Sequence, residues 1–149
     1  MGKHIFLLYG TLLLFSIFLF VAYRMWSAFI ITAITVLLLD AVWLTINFSA
    51  HSKLFAAVQK SPMTIRLLPA ALVYVLIPAA LTYFAIKTSK TVKESMEKGA
   101  LMGLSMYGLY DLTNYSTLKG WTLEMTIKDT LWGTFACAVG AGSGFYFSR

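Results

Sequence analysis

Three aspartates, Asp40, Asp111 and Asp129, are the residues of this sequence best suited to chemistry. Each lies within, or at the end of, a long apolar segment, whereas all three glutamates lie in polar connections. An aspartate at the centre of a bilayer costs about 2.5–3.5 kcal/mol on insertion scales, so one that is kept there normally has a role. Carboxyl groups in such positions exchange protons, bind cations or hold helices together.

The composition predicts a protein of the lipid bilayer. Of its 149 residues, 59% are hydrophobic and 12% are charged, against roughly 25% charged residues in a soluble domain. The net charge of +6 comes from Lys and Arg in short connections, where anionic headgroups are their natural neighbours. We therefore expect no nucleic-acid partner. The single cysteine, Cys137, can form no disulfide within the chain, and no ligand spacing predicts a metal or cofactor.

The apolar segments predict an all-α, polytopic transmembrane helix bundle that forms one domain over residues 1–149. A bilayer core requires about 20 apolar residues per helix. Five segments meet this requirement, at residues 5–23, 28–48, 67–86, 99–115 and 127–147. A single helix from residue 5 to residue 48 would cover about 66 Å, so we expect a turn near Arg24. The first segment is expected to be a retained span and not a cleaved signal peptide.

Local motifs predict where several helices begin or bend. Thr91 and Glu94 have the spacing of a capping box, and Ser61 could cap a helix whose first turn holds Pro62. Pro78 lies inside the third segment, where proline should kink the helix.

Two GxxxG spacings predict close contacts between helices. The four glycines are Gly99, Gly103, Gly140 and Gly144. Small residues at this spacing allow the backbones of membrane helices to approach one another.

Alternation of the five spans brings the three aspartates toward one membrane face. Asp40 would lie about 12 Å below that face, Asp111 about 6 Å and Asp129 about 3 Å. Residues at helical spacing share the faces of these aspartates, and Arg66 is the expected counter-ion, although a pair of Asp40 with Arg66 could equally serve assembly. The predicted pocket consists of Asp40, Trp43, Asn47, Arg66, Tyr107, Tyr110, Asp111, Asn114, Asp129 and Trp132.

The same residues also have structural interpretations. Thr126 and Asp129 have the spacing of a capping box, and Asp111 with Asn114 could hold helices together through hydrogen bonds. Tryptophans in such chains are more often interface anchors than walls of a ligand site. His51 is expected to be a loop residue.

Four motifs resemble one known family. Residues 110–114 (YDLTN), 117–121 (TLKGW) and 129–133 (DTLWG), with residues 40–44 (DAVWL), are similar to the pattern of the "domain of unknown function 2177" family of small predicted membrane proteins. The resemblance covers about residues 30–147. It implies a four-helix membrane core to which residues 5–23 add a span. Ser116 stands where the family has another small residue.

The resemblance implies importance for Asp40, Asp111, Asn114, Asp129 and Trp132, and it supplies no reaction. The first hypothesis for function is a multi-pass integral membrane protein that binds or transports a proton, a cation or a small polar solute through a pocket open to one face. The second is a structural or accessory subunit of a homo-oligomer or larger membrane complex. The third is a membrane enzyme that acts on a lipid-like substrate with two carboxyls as acid and base. The Lys and Arg residues divide evenly between the two faces, so the positive-inside rule gives no orientation.

Overall fold

The computed structural model describes residues 2–149, with side chains from Leu12 onward. The described residues form helices and connections without strands, as predicted. The helices are α1 (Gly2–Gln59), α2 (Leu67–Ala80), α3 (Val92–Thr117) and α4 (Leu123–Phe147), and a π-helical segment (Leu81–Ile86) continues α2. Two stretches in the described part of the chain, Leu12–Gln59 and Leu67–Ile86, are long and apolar enough to cross a membrane.

The expected turn near Arg24 is wrong, because α1 passes through this residue unbroken. Residues 11–59 contain neither glycine nor proline, so nothing in them interrupts the helical hydrogen bonds. The helix also continues past Phe48 to Gln59 and ends where Lys60 takes a left-handed conformation, with φ of 58°. Residues 2–149 therefore form four α-helices in place of five separate spans, since the first two predicted spans are one helix.

The capping box predicted at Thr91 is confirmed. The Thr91 hydroxyl accepts a hydrogen bond from the Glu94 backbone N–H at 3.1 Å. The Glu94 carboxylate in turn accepts from the backbone N–H of Lys90 at 2.8 Å. The first turn of α3 is thus anchored by side chains from both sides of its start.

The predicted start of the third segment at residue 67 agrees with α2, whereas the suggested caps at Ser61 and Thr126 are not formed. α2 begins at Leu67, and Ser61 lies in the connection before it. α4 begins at Leu123, and its cap is the hydroxyl of Thr122, which accepts from the Met125 backbone N–H at 3.2 Å. Thr126 is therefore inside the helix, and Asp129 lies in the second turn and takes no part in capping.

The irregularity expected at Pro78 takes the form of a π-helix that follows it. The backbone N–H of Leu81 donates to the carbonyls of Ile77 and Pro78, and the wider π turn then runs to Ile86. Such segments are rare and frequently accompany functional sites.

The helices pack through glycines. A Cβ atom added to Gly99 would lie 2.6 Å from the carbonyl oxygen of Cys137, and one added to Gly103 would overlap the carbonyl of Gly133, so α3 and α4 are in backbone contact. α1 lies antiparallel to α4, where Gly140 meets Val36 and Gly144 meets Thr32. The core consists of Ala28, Val36, Ile77, Leu81, Ala85, Ile86, Cys137, Ala141 and Phe145.

Candidate functional site

Two Asp-x-x-Trp motifs, one on α1 and one on α4, exchange hydrogen bonds. The indole N–H of Trp132 donates to Asp40 Oδ1 at 2.8 Å, and that of Trp43 donates to Asp129 Oδ1 at 3.2 Å. The i, i+3 spacing places each aspartate and its tryptophan on one helix face. Because the helices are antiparallel, the aspartate of one motif lies opposite the tryptophan of the other. Two carboxyls that the sequence separates by nearly ninety residues are thereby joined in one site.

Asp111 is the most buried member of this site. Its side chain is fully buried, with 0% of its surface exposed, and neither carboxyl oxygen has a hydrogen-bond partner in the described part of the chain. The polar groups beside it are the carboxyl of Asp129 and the indole of Trp121, whose N–H is also buried without a partner. Two ionised carboxyls can only accept hydrogen bonds, so this pair becomes bonded only when one of them carries a proton.

His51 connects Asp129 to the end of the bundle. Its Nδ1 lies 3.0 Å from the backbone carbonyl of Asn47, and a carbonyl only accepts, so Nδ1 carries the hydrogen. Nε2 is then left to face Asp129 Oδ1 at 4.0 Å. The imidazole also packs edge-on against Trp43, with centroids 6.5 Å apart. The expectation that His51 is a loop residue is wrong, because it lies inside α1.

A cavity of about 400 Å³ opens beside this cluster. Trp43 and Asn47, which contact Asp129 and His51 respectively, form part of its wall. Lys53, Glu124 and Lys128 also line it. The hydrogen bond from the Lys128 ammonium holds the pKa of the Glu124 carboxyl below its ordinary value, so this part of the cavity wall is charged.

Three other residues of the predicted pocket, Tyr107, Tyr110 and Asn114, lie on α3. Tyr107 packs its ring against Gly133, and Tyr110 is half exposed and meets the edge of Trp121, with centroids 5.9 Å apart. Asn114 lies on the same helix and is partly buried.

The structure does not bring Arg66 to the cluster. Its side chain is exposed in the extended residue before α2, and it forms no ion pair with the acidic groups that the structure describes. Asp40 forms no ion pair with the described residues, and it accepts a hydrogen bond from the indole N–H of Trp132.

Sequence reasoning missed four polar residues around the aspartates: His51, Tyr74, Trp121 and Thr130. Tyr74 lies beside Asp40, and Thr130 has a buried hydroxyl without a partner among the described residues. One signal was available, because His51 follows Asn47 by four residues and extends the stripe of Asp40 and Trp43 along the same helix face.

The chemistry open to this arrangement is proton or cation binding by carboxyls. In the part of the chain with described side chains, no group of three or more His, Cys, Asp or Glu is placed to hold a metal ion. The cluster does place two carboxyls and one imidazole in series, from the buried Asp111 through Asp129 to His51, and Asp40 lies beside Asp129.

Fold and site together define an all-helical protein with long apolar helices and a buried carboxyl cluster. The chain belongs to the domain of unknown function 2177 family of predicted membrane proteins, whose model matches residues 25–146. This match includes all three aspartates and leaves out most of the N-terminal half of α1. No curated protein and no solved structure has significant similarity to the chain.

Proposed function

We propose that this protein is a multi-pass membrane protein that binds and transfers a proton through Asp111 and Asp129 of the carboxyl cluster. The observation that carries the proposal is the state of Asp111, which is fully buried and has no hydrogen-bond partner among the described residues for either oxygen. A buried ionised carboxylate without partners is costly, so a proton or cation is the ligand that this position requires.

Several features favour a proton over a cation or a polar solute. Cations in proteins are usually held by several oxygen ligands, whereas the polar side chains that act most strongly on Asp111 are one carboxyl, Asp129, and one indole, Trp121. An indole N–H only donates hydrogen bonds and would repel a cation. A proton shared between Asp111 and Asp129 requires no further ligand.

We infer that His51 links this pair to the cavity, whose wall includes its hydrogen-bond partner Asn47. Imidazole is the side chain that most readily takes and releases protons near neutral pH, and Nε2 of His51 faces Asp129 at 4.0 Å. A movement of about 1 Å would bring these atoms to hydrogen-bond distance. The order of transfer would then be cavity, His51, Asp129 and Asp111.

The alternative is a structural or accessory subunit of a membrane assembly. Its support is that Asp40 and Asp129 are already bonded to Trp132 and Trp43 across a helix interface, as helix-joining residues would be. Asp111 favours proton transfer over the accessory role, because a buried residue that serves only to join helices would be expected to have a hydrogen-bond partner.

The test is proton flux into liposomes that contain the purified protein, followed with a pH-sensitive dye enclosed in the vesicles. We expect flux in the parent, its loss in Asp111→Asn and a slower rate in His51→Gln. Glu97→Gln is the matched control, since it removes an exposed carboxylate from the same helix. Undiminished flux in Asp111→Asn would contradict the proposal. Absence of flux in a folded parent would leave the accessory role.

A further inference from the structure

A cleft at the end of the bundle opposite the aspartates collects positive charge. It forms where α1 passes the end of the π-helical segment and the last residues of α4, and it encloses about 200 Å³. Arg24, Lys87 and Arg149 line it, and no acidic side chain does. None of the three is in an ion pair with the residues that the structure describes. Three cations without a carboxylate partner call for an anionic ligand.

Contacts within the protein hold these cations in place but leave donors open. Arg24 uses Nε to donate to the Ser148 carbonyl at 3.1 Å, so both Nη atoms remain for a ligand. The Lys87 ammonium lies 4.4 Å from the ring centre of Tyr83. Arg149 has the fewest donors left for a ligand, since it donates to the Ser89 carbonyl at 3.0 Å and its guanidinium stacks on the ring of Phe145.

An apolar groove of about 420 Å³ adjoins the charged cleft. Met25 lines both the cleft and the groove. Tyr83 lines the groove, and its ring lies beneath the Lys87 ammonium of the cleft. The groove follows α1 to Phe29 and α2 back to Val75, which is the direction from the end of the bundle toward its middle. The positively charged cleft is thus continuous with the apolar groove.

We propose that this composite site binds an anionic phospholipid, with its phosphate on Arg24 and Lys87 and an acyl chain in the groove. The planar guanidinium of arginine binds phosphate oxygens in pairs, and the lysine adds a point charge. Basic residues at a membrane surface attract anionic headgroups, and burial of an acyl chain adds hydrophobic free energy. A soluble phosphate would satisfy the cations but would leave the groove empty, so the lipid fits both parts of the site.

The test is lipid retention by the full chain in a non-ionic detergent, measured by native mass spectrometry. The probes are phosphatidylglycerol and phosphatidylcholine with identical acyl chains. We expect the anionic lipid to be retained preferentially and its affinity to fall roughly tenfold or more in Arg24→Gln/Lys87→Gln. Lys90→Gln/Lys93→Gln is the matched control, because it removes the same charge from exposed lysines outside the cleft, and it should retain the lipid.

A second variant tests the acyl-chain part of the site. Ala79 is an exposed small residue of the groove, so Ala79→Trp should fill the groove, keep the cations and weaken phosphatidylglycerol binding. Glycerol phosphate, which has the same anionic group without chains, should compete poorly.

Three outcomes would overturn the proposal: equal retention of both lipids, equal loss in the control pair, or full competition by glycerol phosphate. The site is independent of the aspartates, and Asp111→Asn should retain the lipid whether or not proton flux is observed.

Discussion

The indole rings of Trp43 and Trp132 stack with centroids 4.8 Å apart and planes 6° from parallel. Each ring also donates its N–H to the aspartate of the opposite motif. Lipid gives helices little hydrophobic reason to associate, so packing and hydrogen bonds carry much of the contact. The stacked pair therefore joins α1 to α4 and orients two of the three carboxyls of the cluster.

Removing the donor of Trp132 should destabilise the protein more than removing that of Trp43. Trp132→Phe keeps an aromatic ring but leaves the buried Asp40 without its 2.8 Å bond, at a cost of about 1–3 kcal/mol. Trp43→Phe should cost less, since its bond is longer, at 3.2 Å, and the Asp129 side chain is 18% exposed. Equilibrium unfolding in mixed detergent micelles measures both. Equal losses, or a larger loss in Trp43→Phe, would contradict this account of the site.

Two glycines of α3 should respond oppositely to the same substitution. Gly103→Ala would place a Cβ against the Gly133 carbonyl of α4, and such overpacking costs about 1–3 kcal/mol. Gly108→Ala would meet only a methyl group of Thr130 at 3.6 Å, an ordinary contact, and should be neutral or slightly stabilising because alanine favours the helix. Unfolding midpoints of the two variants in the same micelles provide the comparison, and a cost at Gly108 equal to that at Gly103 would exclude close packing as the cause.

The helices and the convergence of the aspartates follow from simple features of the sequence. Long apolar segments predict helices, and antiparallel neighbours bring the end of one close to the start of the next. Asp111 and Asp129, near the end of α3 and the start of α4, are close for this reason. Asp40 lies nineteen residues before the end of α1, and it meets α4 because these two helices are antiparallel, not through the five alternating spans of the prediction. The Asp-x-x-Trp spacing gives each of the two helices one donor and one acceptor on the same face. The antiparallel alignment of α1 and α4 then decides which tryptophan donates to which aspartate.

The errors have physical causes at particular residues. Bilayer thickness predicts a turn near Arg24, but residues 11–59 contain no glycine or proline that would favour one. Hydropathy ends the second predicted span at Phe48, which places His51 in a loop. Asp40 consequently lies nineteen residues before the end of α1 at Gln59, which is about 28 Å along the helix. The predicted span, which ends at Phe48, gives about 12 Å for the same distance.

The environment of Asp111 could not be predicted, because it depends on the geometry of a loop. Gly120 has a φ of 101°, a conformation that favours glycine. The residue after it, Trp121, is buried beside Asp111. Spacing along the sequence gives no information about this contact.

Glu94 should make stability depend weakly on pH at acid pH. Its hydrogen bond from Lys98, followed by that from the Lys90 backbone, lowers the pKa of this carboxyl below its ordinary value of 4.5. Because the folded-state pKa is depressed, the stabilisation is complete above 4.5 and is lost as the pH falls through the lower folded value. Unfolding of the parent and of Glu94→Gln, measured from neutral pH downward, should show the difference between them shrinking toward acid pH. A difference that grows there would have the wrong sign.

Labelling of single cysteines should show that the two ends of the bundle lie on opposite sides of a membrane. Cys137 is fully buried, so Cys137→Ser gives a background suited to the assay. Lys53→Cys and Lys93→Cys would then place thiols at exposed positions near opposite ends. In sealed vesicles, a maleimide that cannot cross the bilayer should modify one and not the other. Modification of both from the same side would contradict a multi-pass arrangement.

Asp111→Asn should raise stability while it abolishes proton flux. While Asp111 carries no proton, neither oxygen of its buried carboxyl has a partner in the described part of the chain, and a buried unsatisfied group costs about 1–3 kcal/mol. An asparagine amide is neutral and can donate to the neighbouring Asp129, so unfolding should require more denaturant. Asp40→Asn should have the opposite effect on stability, because it weakens the bond from Trp132 that Asp40 already accepts. Unfolding in micelles and dye-monitored flux in liposomes, made on the same preparations, separate the two properties. A destabilised Asp111→Asn would mean that the carboxylate is bonded in the folded protein without a proton, and the case for a proton at this position would then fail.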